Sequence, residues 1–413
     1  MRLEQTALTR PFDPWSQLFV VALATYPYVF VLNLFLSIQV PGGKNLYVAL
    51  ETMTMVLVVV ANWRRVGPHV GVVLATVFFG VSFIVLLRVL AFNDPLLTLA
   101  FTSRLPNTFL LYACVCWAVM QDPAVRGVVQ RVVVANSLIQ AVLGIVHDTW
   151  FSHFLTGGNV ALMNGGEALW MIAPRGSRFR ETGGLISASL YANFIILGMF
   201  VIVFAPRRSP RTLDRRWLLD GIALIVMMYG LSLSGSRFPI VAAMVLVAIH
   251  LLRHVSIRAA VPMIAALAAT GLLMLPFVMN VLNRFRVEGS GGRVTKAEIG
   301  WQLLTETPAR LLLGAPLQAQ DTATSGGLGL SDNSFYAVLL LFGVPMTSLI
   351  GIGVFSILAL TTRVKKHLPI LLYLVGVLLL TNGIYWDIWI LYCFATLYSM
   401  QPLQPLRPLN HSQ

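Results

Sequence analysis

Apolar runs close to the ~20 residues that carry a helix across a bilayer recur along almost the whole chain. No stretch between them leaves room for a separate soluble domain. Lipid offers no water to unpaired backbone groups, so repeated runs of this kind must be helices. Of the 413 residues, 57% are hydrophobic and 11% charged, where a soluble domain carries about a quarter charged residues. The expected fold is all-α: a polytopic transmembrane helical bundle forming one integral membrane domain over residues 1–413. The polar start, MRLEQTALTRPFDPW, runs into an apolar stretch too long for a cleaved leader, so that first span is expected to stay. Cys114, Cys116 and Cys393 all fall in apolar runs and read as small buried hydrophobes.

Twelve spans fit the pattern, at about 17–39, 46–62, 70–91, 104–120, 132–150, 185–205, 217–232, 238–252, 259–281, 334–360, 368–381 and 386–400. Both termini then share one side. The loops on that side hold Arg64, Arg65, Arg126, Arg131, Arg207, Arg208, Arg211, Arg215, Arg216, Arg253, Arg258, Arg363, Lys365 and Lys366. Short loops on the other side hold only Lys44, Arg104 and Arg237. The positive-inside rule therefore puts the termini in the cytoplasm and gives the net charge of +13 a topological use rather than a nucleic-acid partner. Two longer connections, 151–184 and 282–333, fall on the external face, the second as a long helical loop between spans nine and ten. Long loops are where chemistry tends to sit.

Several arginines run against this bias: Arg175, Arg178 and Arg180 in IAPRGSRFRETGG, Arg237 in SLSGSR, and Arg284, Arg286 and Arg293 in NRFRVEGSGGR. Charge at a membrane boundary is costly unless paired, and too few acids stand nearby to neutralise them all, Glu181 and Glu288 being the local candidates. Guanidinium forks bind phosphate oxygens in pairs, so external arginines at headgroup depth suggest a diphosphate on a lipid. For Arg178, Arg180, Arg284 and Arg286, anchoring to phospholipid headgroups is the alternative. Thr295 with Glu298 matches a capping box, which places a helix start near Lys296, with Arg293 just ahead of it and Thr307-Pro308 ending it. A Gly-rich stretch then leads to SDNSFYAVLLLFGVP, with Asp332 and Asn333 at the entrance of the tenth span. Asp332 reads either as a general base or as an N-cap of that span. Glu181, Asp148, Glu298 and Asp387 are other external acids. His147 and His153 lack the spacing and partners of a metal site, so no metal and no cofactor is expected. YWDIW (385–389) reads as an interfacial aromatic belt.

An ordered series of segments carries a resemblance: RFRETGGLISASLYANF, SLSGSR, GRVTKAEIGWQLLTETPARLLLGAP and SDNSFYAVLLLFG, spread over about residues 170–350. It resembles the superfamily of bacterial O-antigen ligases and O-antigen or exopolysaccharide polymerases. The resemblance implies a glycosyltransferase of the inner membrane, working at its periplasmic face on undecaprenyl-diphosphate-linked glycan donor and acceptor, without nucleotide sugar or metal. It implies that Arg237 and Arg293 hold the donor diphosphate and that Asn333 orients the acceptor. Asp332 stands where the ligases have histidine in a His-Asn pair, which tilts the reading to a polymerase with a chain-length regulator as protein partner. Attack on the anomeric carbon opposite the leaving diphosphate implies inversion. A ligase acting on lipid A core is the nearest alternative; a transporter of lipid-linked oligosaccharide is the alternative of another class.

Overall fold

The computed structural model describes residues 13–39, 53, 56–58, 60–61, 63–146, 172–175, 178–181, 188–205, 215–234, 236–252, 290–324, 334–361, 364–380 and 387–400. In chain order the helices are α1 (Pro14–Gln39), α2 (Trp63–Val66), α3 (Pro68–Phe92), α4 (Leu96–Val119) and α5 (Pro123–Val146). A two-stranded antiparallel hairpin follows, β1 (Ile172–Arg175) and β2 (Arg178–Glu181). Then come α6 (Ala188–Phe204), α7 (Arg215–Leu233), α8 (Arg237–Leu252), α9 (Ser290–Thr305), α10 (Pro308–Leu313) and α11 (Leu317–Thr324). The last three are α12 (Ser334–Thr361), α13 (Val364–Leu380) and α14 (Asp387–Ser399).

Among the described residues three helical stretches are long and apolar enough to cross a membrane: Pro68–Phe92, Pro123–Val146 and Tyr336–Thr361. Shorter apolar helices lie in α4, α6, α7, α8, α13 and α14. Helix α6, ASLYANFIILGMFVIVF, is apolar all round, as a helix must be to sit at the centre of other helices. It is buried from Leu190 to Val203 and packs against α5, α7, α8 and α14. Helix α14 is buried from Trp389 to its end and packs against α1, α4, α5 and α6. Close approach around this centre depends on small residues, as in membrane bundles. At Gly198 a Cβ would meet the Ser137 Cβ at 2.5 Å, and at Gly230 one would meet the Ala141 backbone at 2.9 Å.

The outer surface is the reverse of a soluble protein's. Leu90 is 74% exposed, Phe355 73%, Ile225 70% and Phe79 69%. Asn136, Ser137, Gln140 and Asn193 are inside. Apolar surface of this extent is stable only against lipid or another apolar face.

One polar interior group pairs with a carbonyl that a helix interruption releases. Pro27 lies inside α1 and has no N–H, so the Leu23 carbonyl loses its helical partner. The Tyr392 hydroxyl donates to that carbonyl, and Asn136 Nδ2 donates to the neighbouring Ala24 carbonyl at 3.1 Å.

Side-chain bonds also fix how the helices run. Tyr191 OH donates to the Gly230 carbonyl at 3.1 Å, joining the start of α6 to the end of α7. Gln130 Nε2 donates to the Ser399 carbonyl at 2.8 Å, joining the start of α5 to the end of α14. The Thr361 and Tyr398 hydroxyls meet at 2.7 Å, joining the ends of α12 and α14. The ends of α5 and α7 and the starts of α6, α8, α12 and α14 therefore lie at one end of the bundle, called upper. The starts of α5 and α7 and the ends of α12 and α14 lie at the other, lower end.

Two kinds of expectation need correction: several cations assigned to loops, among them Arg64, Arg65, Arg104, Arg215, Arg216, Lys365 and Lys366, lie in helices, and one helix starts ahead of its capping signal. Helix α5 begins at Pro123, so Arg126 and Arg131 are in its first turns rather than in a loop; Arg126 is buried and its Nε donates to the Met120 carbonyl. Within the stretch 151–184, residues 172–175 and 178–181 pair as the two strands. Helix α9 begins at Ser290 rather than near Lys296, which makes Thr295 and Glu298 interior residues and puts Arg293 in the first turn. The apolar positions Ile299 and Leu303 pack against the cluster of Leu304, Ala315, Leu339 and Leu340, which seats this helix on α12.

Candidate functional site

The best-defined polar cluster lies where α3, α10, α11 and α12 meet. Arg88 belongs to α3 and Asp94 follows its end; both side chains are out of contact with solvent, at 0% and 2% exposure. Arg88 Nε and Nη2 donate to Asp94 Oδ2 at 3.0 and 2.6 Å. Nη1 donates to the carbonyls of Leu313, at 3.3 Å, and Leu341, and Nη2 to that of Ala315 at 2.7 Å. A guanidinium has five N–H groups, and these five bonds use them all. Asp94 Oδ1 accepts from the Leu317 backbone N–H at 3.0 Å.

The reason for so many acceptors is a break in α12. Gly343 departs from helical geometry, with φ 71° and ψ 179°, and Pro345 follows two residues later. Pro345 has no N–H for the Leu341 carbonyl, so Arg88 supplies the donor. The Leu340 carbonyl receives the Ala315 N–H at 2.8 Å and Gln320 Nε2 at 3.4 Å. Gln320 Nε2 also donates to the Ala315 carbonyl at 2.7 Å. A Cβ at Gly343 would overlap the Leu312 carbonyl, and one at Gly314, where φ is 90°, would come within 2.6 Å of the Leu340–Leu341 backbone. The end of α10 thus lies directly on the break.

This cluster is a clamp. With every donor of Arg88 spent on protein oxygens, it has none left for a bound anion. What it does is hold the 313–317 turn, between the end of α10 and the start of α11, against the break in α12. Helix α9 packs on α10, α11 and α12, and a Cβ at Gly300 would meet the Tyr336 hydroxyl at 2.7 Å, near the start of α12.

The structure describes the expected site residues unevenly. Arg237 is the first residue of α8, after a turn in which Ser234 Oγ donates to the Leu231 carbonyl at 2.7 Å and accepts the Ser236 N–H at 3.1 Å. The next residue fixes the start of α8: Phe238 stacks on Tyr373 of α13, with ring centroids 5.3 Å apart and planes at 8°. Tyr373 OH in turn donates to Asn193 Oδ1 near the start of α6. Arg178 and Arg180 lie in β2, opposite Arg175 and Ala173 of β1, and β2 packs against α6. Arg293 lies in the first turn of α9. The backbone positions of Arg178, Arg180 and Arg237 are thus brought to the upper end, and α9 with Arg293 packs beside the start of α12. Asp332, Asn333, Arg284 and Arg286 lie outside the described residues, as do Asp148, His147, His153 and the ninth expected span, 259–281. Asp332 and Asn333 immediately precede α12 in sequence.

Sequence reading overlooked Arg88, Asp94 and the break at Gly343. Each had a signal. VSFIVLLRVLAFND sets one arginine in an apolar run with an acid six residues on, and such a charge calls for a named partner. FGVP in an apolar run marks a helix interruption.

No protein-family model matches the chain, and no curated protein matches it.

Proposed function

We propose that this chain is a membrane glycosyltransferase that polymerises undecaprenyl-diphosphate-linked oligosaccharide repeat units at the periplasmic face of the bacterial inner membrane. The observation that carries the proposal is the gathering of Arg178, Arg180 and Arg237 at the upper end, with α9, bearing Arg293, packed beside the start of α12. Surplus cations of the lower end, among them Arg126, Arg131, Arg215 and Arg216, have the positive-inside rule to account for them. The upper-end cations run against that rule and need a different use.

In the proposed reaction an acceptor hydroxyl attacks the anomeric carbon of the donor sugar. The bond to the diphosphate breaks, the electron pair leaves with undecaprenyl diphosphate, and the configuration inverts. Arg237 and Arg293 stabilise the charge that grows on the leaving group, an effect worth about 3–4 kcal/mol per well-placed donor. Asp332 takes the hydroxyl proton, and Asn333 orients the acceptor. Arg178, Arg180, Arg284 and Arg286 contribute further positive field for the lipid-linked diphosphate. No metal or cofactor is called for, and a chain-length regulator is the expected protein partner.

The aspartate at position 332, where the resembling ligases carry histidine, favours polymerase over ligase. A transporter needs charge reachable from both faces, and the described counter-bias arginines Arg175, Arg178, Arg180 and Arg237 gather at one. Deleting the gene and separating the surface glycolipids distinguishes these readings. A polymerase deletion leaves single repeat units on lipid A core or carrier and no long chains. A ligase deletion leaves long chains on the carrier.

A further inference from the structure

We infer that α10 is a re-entrant segment, with Leu311 and Leu312 in contact with the hydrocarbon chains of membrane lipid rather than with periplasmic water. Two depth markers support this. Helix α10 packs on α3 and α12, and its Leu313 carbonyl is bonded to Arg88, four residues or about 6 Å before the end of α3. Its Leu312 carbonyl lies against Gly343, nine residues or about 13 Å along α12 from Ser334. Non-helical backbone is tolerated at membrane depth only where protein groups satisfy it. Around this turn the carbonyls of residues 313, 315, 340 and 341 all have donors from within the protein.

The side chains divide accordingly. Glu306 and Arg310 form an exposed i,i+4 ion pair at the corner between α9 and α10. One residue further along, Leu311 and Leu312 are 36% and 54% exposed. On α3 and α12, the two helices that α10 packs on, Leu90 and Val344 are exposed too. Exposed apolar side chains on three neighbouring helices, two of them long enough to span the membrane, fit lipid chains as their occupant.

The test is a nitroxide attached to Leu312→Cys in the full chain in phospholipid vesicles, read by its collision rates with oxygen, which concentrates in lipid, and with a water-soluble nickel chelate. The native Cys114, Cys116 and Cys393 are buried and should stay unlabelled. Labels at Phe355→Cys and Glu306→Cys set the lipid and aqueous ends of the scale. The expected result is a several-fold preference for oxygen at 312, ranking it with 355. A ranking with 306 overturns the inference. Should Leu312→Cys fail to fold, the same ranking at Leu311→Cys decides it.

Discussion

At the scale of single residues, the buried pair gives the sharpest expectations. Replacing Arg88 by Met leaves Asp94 charged, buried and unpaired, and strips donors from three carbonyls. Breaking a buried pair from one side costs about 3–5 kcal/mol, so Arg88→Met should lower the unfolding midpoint in detergent sharply. Lysine has three donors on a single nitrogen and cannot span the same fork. Arg88→Lys should therefore recover only part of the loss; full recovery would show that charge, rather than the five-bond fork, is what matters. Arg237→Ala and Arg293→Ala belong to the opposite class. Each should leave the folded yield unchanged and reduce glycan polymerisation by about 10²–10³, measured as chain elongation per folded protein. The counter-bias arginines were legible from charge bookkeeping alone. Arg88 was not, because a count of loop charges passes over a cation inside a span.

At the scale of elements, α12 shows how a polar clamp and a helix break depend on each other. Gly343 combines a left-handed φ with contact against the Leu312 carbonyl, a site where alanine is both strained and obstructed. Strain of that kind alone costs about 1–3 kcal/mol. Gly343→Ala should destabilise the protein by at least that much in thermal unfolding, while Gly351→Ala, on the same helix with open space around it, should be neutral. Existence and type of the long elements could be read from apolar runs, since length and hydropathy fix them. Boundaries and the hairpin could not. The seating of α9 on α12 rests on Ile299 and Leu303, and the break in α12 is stable because residues 88, 315 and 320, distant in sequence, supply its donors.

At the scale of the whole molecule, the two ends of the bundle should differ in access. Cysteine placed at Glu306, exposed beside the upper end, should react with a membrane-impermeant maleimide in intact spheroplasts. Cysteine at Gly127, exposed in the first turns of α5 at the lower end, should react only after permeabilisation. The reverse pattern would invert the topology and move the proposed chemistry to the cytoplasm. The most direct test of the polymerase reading is reconstitution. The purified chain in liposomes is given the undecaprenyl-linked pool extracted from a strain lacking this gene, with no nucleotide sugar. The account predicts products longer by whole repeat units, with undecaprenyl diphosphate released in step, and neither with Arg237→Ala. Folded protein that elongates nothing, or transfers glycan only once lipid A core is added, would contradict it.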